Sequence, residues 1–447
     1  MKTFAQGIHP EYHKEGTQAK AIKELHPPRK VIIPLHQHTG ASCEPLVKVG
    51  DEVFEGQKIG DTSKFISAPV HASISGKVTR IDKLLHPCGV NILSVVIEAA
   101  PALEHRTQST DFVPKDISPR EHRTQENLAP EQIRNIVREA GIVGLGGAAF
   151  PTHVKLTPPE GKSIDTILIN GCECEPYLTA DHRIMLEHPE DVVYGAGAIA
   201  RACAAKRIII GIEDNKPDAI ERLKSVARRQ KDFPTREVTL KTKYPQGGEK
   251  MLVKAVLNRE VPSGGLPLDV GVVVSNVGTA LAVAQAVKHG TPLIKRVITV
   301  TGSGVKNPQN LMVRIGTTFA DVIDGCGGLT EDASKIVMGG PMMGVSQSTL
   351  EVPIVKATSG ILVLKRREAD AARVYPCVKC ARCVDHCPVF LVPSRLAAFA
   401  ENGKYSEFEE WGGQDCIECG SCAYVCPARI PIVHWVKLAK LKLADMK

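Results

Sequence analysis

Two cysteine runs near the end of the sequence have a spacing that does chemistry. The first reads Cys377-x-x-Cys380-x-x-Cys383-x-x-x-Cys387-Pro388, the second Cys416-x-x-Cys419-x-x-Cys422-x-x-x-Cys426-Pro427. Three closely spaced thiolates can wrap one corner of an iron–sulfur cube, and a fourth ligand must arrive from elsewhere. Where two such runs occur together, the last Cys of each serves the cluster of the other. The spacing therefore predicts two [4Fe–4S] clusters. Cys377, Cys380, Cys383 and Cys426 hold one, and Cys416, Cys419, Cys422 and Cys387 hold the other. Zinc would use one C-x-x-C pair with a second pair farther off, and has no use for a third Cys so close behind. A disulfide framework belongs to oxidising compartments and usually to small domains. The chain reads as one that handles single electrons.

The elements that position these residues need a large chain. At 447 residues there is room for about three to four domains. Hydrophobic residues at 43% supply ample cores, while aromatics at 4% are few. The net charge of +7 is a mild excess, compatible with a soluble surface or with attraction to an acidic partner or an anionic membrane face. Lys and Arg are scattered, without aromatic residues interleaved, which argues against nucleic acid as a partner. No apolar run reaches about 18 residues, so no transmembrane helix is expected. The start, Met1 to Gly7, lacks the apolar core of a signal peptide. Fourteen Cys, eight of them cluster ligands, point to the reducing cytoplasm. Most of the other six (Cys43, Cys88, Cys172, Cys174, Cys203 and Cys326) read as small buried residues.

Residues 31–98 read as short strands broken by Gly, Pro and Asn turns. The stretches "VKVGDEVFEGQKIG" and "ASISGKV" resemble the barrel-sandwich of biotinyl and lipoyl domains. Lys64 lies in "TSKFIS", a poor copy of a carrier-lysine motif, so the module reads as structural. His36 and His38 form an H-x-H pair expected on a strand and at the surface. Residues 101–127 are polar, Pro-bearing and aperiodic, as in a linker. A helix is predicted from Ala129-Pro130-Glu131, with Gly141 at its stop. Residues 141–290 alternate strands and helices. "DTILIN" and "RIIIGI" suit parallel strands buried on both faces, and the pattern suggests a Rossmann-like domain. Residues 291–355 read as strand and loop. From about 370 the chain is helical around the cysteines, with a helical insert between the two runs.

Four stretches of the α/β region carry ligand-binding residue types. "GIVGLGGAAFPTHVKL" gathers Gly141, Gly144, Gly146 and Gly147 ahead of Phe150, and glycines let a backbone approach a ligand closely. "ILINGCECEP" puts Asn170, Glu173 and Glu175 past a buried strand, where open α/β sheets bind ligands. "KYPQGGEKML" offers Tyr244, Gly247, Gly248 and Glu249 at a helix start, and "VVSNVGTALAV" offers Ser275, Asn276 and Thr279.

These stretches, in this order, resemble the flavin- and NADH-binding subunit of respiratory complex I. Over nearly its full length the chain is similar to the C subunits of Rnf (Rsx) ion-translocating electron transport complexes. The resemblance implies FMN held by Gly144, Gly146 and Gly147, with Lys155 near the phosphate or ring. It implies flavin contacts from Asn170, Glu173, Tyr244, Gly247, Gly248, Asn276 and Thr279, and nicotinamide nucleotide contacts near Phe150, Glu175 and Glu249. Three departures weaken the expected hold on flavin or nucleotide. Leu145 stands where the complex I loop has Arg, Cys172 stands where that family has an acid, and a second Phe of the nucleotide site is replaced near Pro158.

The implied organisation is a barrel-sandwich domain (1–100), a linker (101–127), a Rossmann-like FMN/NAD domain (128–290), a β-grasp, SLBB-like domain with "GGPMMG" (291–364) and a helical two-cluster domain (365–447). The implied function is that of a peripheral subunit on the cytoplasmic face of the cell membrane, in a ferredoxin:NAD+ oxidoreductase of the translocase class. It would exchange electrons among NAD(H), FMN and two [4Fe–4S] clusters, with other subunits and, through them, ferredoxin as partners. No acid–base catalytic residue is needed, because a flavin carries the hydride step. Two other readings fit the same sequence. One is a flavin-free iron–sulfur adaptor. The other is a docking subunit dominated by its β-grasp and barrel-sandwich parts. A basic C-terminal helix with Val433, Val436 and Leu441 on its apolar face would serve for docking or simply close the domain.

Overall fold

The computed structural model of the chain describes residues 1–100, 128–229, 233–369 and 373–446. The expected linker, 101–127, lies outside the described residues. Among the described residues the strands form four sheets.

The sheet that matters most is parallel, in the order Thr235–Leu240, Arg207–Glu213, Thr166–Gly171, Val272–Asn276. Its apolar runs are continuous because both faces are covered. Ile167, Ile169, Ile208, Ile210 and Ile212 face one core, shared with helices Pro130–Glu139, Pro189–Ala202 and Val277–His289. Leu168, Ile209 and Val274 alternate onto the other face, against helix Glu249–Leu257. The chain lays strands outward from Thr166–Gly171, then returns to add Val272–Asn276 on its other side. Strand order therefore reverses between these two strands, and their carboxyl ends are the expected ligand position.

Two small antiparallel sheets enclose a separate core of Val31, Ile33, Val53, Ile59, Val78, Val95 and Ile97. One contains Lys30–Pro34, Asn91–Ala99, Gly76–Leu85 and Glu52–Val53, the other Glu44–Pro45, Lys58–Asp61 and Val70–His71. The histidine pair departs from expectation. The strand ends at Pro34, so His36 and His38 lie in the following loop. His38 is buried, and its Nε2 accepts the Ala68 N–H at 3.1 Å. The chain's start runs outside this unit: Lys2 bridges to Leu240, and Ile22–Glu24 pairs in parallel with Gln309–Arg314.

That pairing places Ile22–Glu24 at the edge of a mixed sheet that continues through Gln309–Arg314, Lys295–Thr301, Gly360–Lys365, Ala333–Met338 and Val345–Gln347. Helix Phe319–Asp324 packs Phe319, Val322 and Ile323 into its core. The sequence reading gave this segment to strand and loop. Six residues are too few to show a helical period, and the start is set by Thr318, whose Oγ1 accepts the Asp321 N–H at 3.2 Å.

The cysteine runs sit among helices Arg382–Asp385, Pro393–Glu401, Tyr405–Glu410, Ser421–Tyr424 and Ile432–Asp445. The insert between the runs is helical, as expected. The last helix turns Ile432, Val436, Ala439 and Leu443 inward, whereas Leu441 faces solvent with 64% of its surface exposed. The apolar face expected to include Leu441 is thus split between core and surface.

Candidate cofactor sites

The glycine loop is pinned to the ends of the two switch-point strands. Gly144 N–H donates to Phe150 O at 2.9 Å, closing the loop on itself. Leu145 N–H donates to Thr279 Oγ1 at 2.9 Å, tying it to helix Val277–His289. A Cβ on Gly146 would stand 2.7 Å from Asn276 Nδ2, so only glycine fits there. A Cβ on Gly147 would meet no protein atom within 4 Å. Packing thus requires Gly146 and leaves Gly147 facing open space. The tip of the barrel-sandwich braces the same loop, with Thr39 Oγ1 donating to Ala148 O at 2.8 Å.

Beside the loop, Lys155 Nζ donates to Val274 O at 2.8 Å and pairs with Glu249. Glu249 opens a helix whose N-cap is Gly248, with no side chain capping it. Asn170 and Asn276 stand opposite each other in the sheet register. Asn170 Nδ2 donates to Gly247 O at 2.8 Å, while Asn276 Oδ1 accepts the Gly278 N–H at 2.8 Å. The structure therefore brings together Gly144, Gly146, Gly147, Lys155, Asn170, Gly247, Gly248, Glu249, Asn276 and Thr279, with Phe150 at the loop's end. This set fits a flavin phosphate: an uncapped helix start, an ammonium and a glycine-lined approach at one sheet edge.

Three expected residues are committed to protein partners. Glu173 accepts the Asp181 N–H at 2.7 Å and the His182 N–H at 3.1 Å, at the start of helix Ala180–Glu187. Glu175 is half-buried against the "GGPMMG" turn and accepts N–H bonds from Met342 at 3.1 Å and Met343 at 2.8 Å. Burial pushes its carboxyl up to about 7 despite those two bonds. Tyr244 is buried, and its hydroxyl donates to Cys419 O at 2.6 Å. The departures are likewise internal. Leu145 and Cys172 are core residues.

Several residues escaped the sequence reading. Asp181 accepts a bond from Asn276 Nδ2 at 2.6 Å, and burial, aided by the charge of Glu173, raises its carboxyl to about 7. Buried Lys14 donates to the carbonyls of Glu173 and Leu178, both at 2.6 Å, and Lys216 to that of Cys172 at 2.6 Å. These two lysines brace the loop after Asn170. Arg296, also buried, donates to Lys356 O and to Leu145 O. All act across long sequence separations, which no local motif reveals.

For the cysteines, Cys387, Cys416, Cys419 and Cys422 line one apolar cavity of about 390 Å³, mouth included. This is the cross-run ligand set read from spacing. Burial raises every one of these thiols, Cys416 to about 11. Bound iron would supply the positive charge that thiolates need there. Glu418 N–H donates to Cys416 Sγ and Leu391 N–H to Cys387 Sγ, each at 3.4 Å, the kind of bond that tunes a cluster's potential. The other set is more open to solvent. Cys377 and Cys380 are exposed, Cys383 is buried and Cys426 is half-buried. Among the described residues no three His, Cys, Asp or Glu side chains close on a single-ion site.

Fold and sites define a multidomain α/β electron-transfer protein. The chain matches the families described as Nuo51 FMN-binding domain over residues 137–285, RnfC barrel sandwich hybrid domain over 2–101, SLBB domain over 297–346 and 4Fe-4S dicluster domain over 373–430. It is 46% identical to the C subunit of the proton-translocating ferredoxin:NAD(+) oxidoreductase complex of Clostridium ljungdahlii, over 98% of this chain and 94% of that one. It is 45% identical to the Na(+)-translocating counterpart of Acetobacterium woodii, over 99% and 97%. A solved NAD+-reducing [NiFe]-hydrogenase in the H2-reduced state shares the fold at 19% identity and a TM-score of 0.51, over 76% of this chain and 66% of that one. The chain belongs to the family of C subunits of Rnf-type ion-translocating oxidoreductase complexes.

Proposed function

We propose that the chain is the peripheral NAD-linked subunit of a membrane ferredoxin:NAD+ oxidoreductase, relaying electrons between NAD(H), FMN at the switch point and two [4Fe–4S] clusters. The observation that carries this reading is the bond from Tyr244 to the carbonyl of Cys419. It joins the turn beside Gly247 and Gly248 directly to a cluster-ligand loop. Ile417, Cys174 and Met342 pack around the same contact. A flavin bound there supplies what neither neighbour has, exchange of electron pairs with NAD and of single electrons with clusters.

The residues hold and orient. Gly146, Gly147 and the start of helix Glu249–Leu257 receive the flavin and its phosphate, with Lys155 supplying positive charge. Asn170, Asn276 and Thr279 fix the strand ends around it. Phe150 and Glu249 border the nucleotide side. Glu173, Glu175 and Tyr244 support the site from beneath, through the helix start, the Met342 turn and the cluster loop. The set of Cys416, Cys419, Cys422 and Cys387 lies next to the flavin, and that of Cys377, Cys380, Cys383 and Cys426 lies outward. The bounds we assign are 1–100, 128–290, 291–364 and 365–447, with the first 24 residues leaving the barrel-sandwich to pair with strands of the second and third units. Among the described residues no helix is long and apolar enough to cross a membrane. The likeness to Rnf-type C subunits supports attachment through other subunits, which we place at the cytoplasmic face.

Chemical assay of anaerobically purified protein, combined with NADH titration, tests the reading. About eight irons and one FMN per chain, with bleaching by NADH, are expected. Full iron with no flavin after FMN is added back, and no response to NADH, would establish a flavin-free adaptor instead.

A further inference from the structure

Lys64, Phe65 and Ile66 stand exposed in a row on the loop that follows strand Lys58–Asp61 of the barrel-sandwich. Phe65 has 60% of its surface exposed and Ile66 has 44%. Single exposed apolar residues are ordinary, but a ring and a branched side chain side by side on a fixed backbone form a patch. Both ends of the loop are fixed. Arg138 donates to Asp61 Oδ1 at 3.0 Å and to Thr62 O at 3.1 Å. Ser67 is buried, and its hydroxyl donates to Ala41 O at 3.0 Å. Between these anchors Ala41 N–H donates to Ile66 O at 2.9 Å, and a Cβ on Gly40 would collide with the same carbonyl.

The patch is held against the glycine loop. Thr39, next to Gly40, donates its N–H to Ala149 O at 3.3 Å and its hydroxyl to Ala148 O at 2.8 Å. Phe65 O accepts a bond from His153 Nε2 at 3.2 Å, and the two rings meet edge to face with centroids 5.8 Å apart. His153 lies three residues beyond Phe150, on the short helix that also carries Lys155. The carboxylate of Asp61, three residues before Lys64, is taken by Lys58 and Arg138. Lys64 forms no ion pair among the described residues and keeps its ammonium in solvent. An exposed ring with a free ammonium beside it suits a nucleotide, whose base has a face to stack and whose phosphates are anionic.

We infer that Lys64 and Phe65 form the adenosine end of the NAD(H) site, with adenine stacked on Phe65 and the pyrophosphate paired with Lys64. This rests on the reading that NAD(H) reacts with flavin at the switch point. A dinucleotide with its nicotinamide at the flavin reaches outward with its adenosine, and Phe65 is an exposed ring held against the end of the glycine loop. The barrel-sandwich then binds as well as braces, and the lysine of "TSKFIS", a poor match to a carrier motif, meets a phosphate.

The test is calorimetric titration of the iron- and FMN-loaded full chain with ADP-ribose, which carries adenosine and pyrophosphate but no nicotinamide. Lys64→Gln/Phe65→Ala is compared with a matched exposed pair on the same domain, Lys48→Gln/Val49→Ala. The expected result is binding at least about ten-fold weaker in the first variant and changed less than about two-fold in the second. Phe65→Trp keeps the affinity, and Lys64→Gln alone weakens it and flattens its salt dependence. Flavin bleaching separates the two ends of the ligand. In Phe65→Ala the efficiency of NADH relative to reduced nicotinamide mononucleotide, which has no adenosine, falls at least about ten-fold. Equal losses in the two paired variants, an unchanged ratio of the two reductants, or no saturable ADP-ribose binding by a wild type that NADH bleaches would overturn the proposal. A wild type that neither NADH nor reduced nicotinamide mononucleotide bleaches overturns the relay reading itself, a separate outcome.

Discussion

At Gly146 and Gly147 the protein separates folding from binding. Gly146→Ala forces a methyl group into Asn276, so both stability and flavin affinity should fall. Gly147→Ala meets only open space in the protein, so its melting temperature should hold while the FMN dissociation constant rises about ten-fold or more. Fluorescence titration of FMN beside thermal unfolding checks both, and unchanged affinity in Gly147→Ala would remove that residue from the site. Tyr244→Phe leaves the buried Cys419 carbonyl without its donor, at a cost of about 1–3 kcal/mol in denaturant unfolding. The glycine loop and its neighbours were legible because their residue types are chemical. The Tyr244 contact was not, since a side chain's partner 175 positions away leaves no local trace.

At the scale of elements, the proposed crossing of the fourth cysteines sets how the runs would work. Cys387→Ser should abolish the cluster nucleated by the second run and spare the other, read as the loss of one of two reduced-cluster EPR signals. Loss of the first run's cluster instead would overturn the assignment. The barrel-sandwich makes a different prediction. Burial holds His38 and His86 down to about 4, and His71 well below its ordinary value. Unfolded imidazoles titrate near about 6.5, so between those values the unfolded chain binds more protons. The stabilisation from keeping them neutral is complete above the unfolded value and is lost as pH falls through this window. Melting should drop by about 5 °C or more between about pH 7 and about pH 5. Hydrogen exchange should rise first in residues 30–99, and flat protection there would contradict the account. Continuous apolar runs made the parallel strands readable. Short pieces such as Phe319–Asp324 were not, because a cap and tertiary packing, not a period, define them.

At the scale of the molecule, one edge of a parallel sheet is held between three other units. The barrel-sandwich braces the glycine loop through Thr39, the SLBB region holds Glu175 through its Met342 turn, and the cluster domain reaches Tyr244. The sequence showed which modules are present, through motifs internal to each. Their mutual placement depends on contacts such as Lys356 Nζ with the carbonyls of Pro69 and Gly141, at 2.7 and 2.6 Å, and had no signature. On the proposed reading, flavin at the switch point stands between NADH and the clusters. Anaerobic stopped-flow mixing with NADH tests that order most directly. The account predicts flavin bleaching ahead of cluster bleaching, and clusters that stay oxidised in protein stripped of FMN until FMN is restored. Clusters reduced by NADH equally fast without flavin would contradict it.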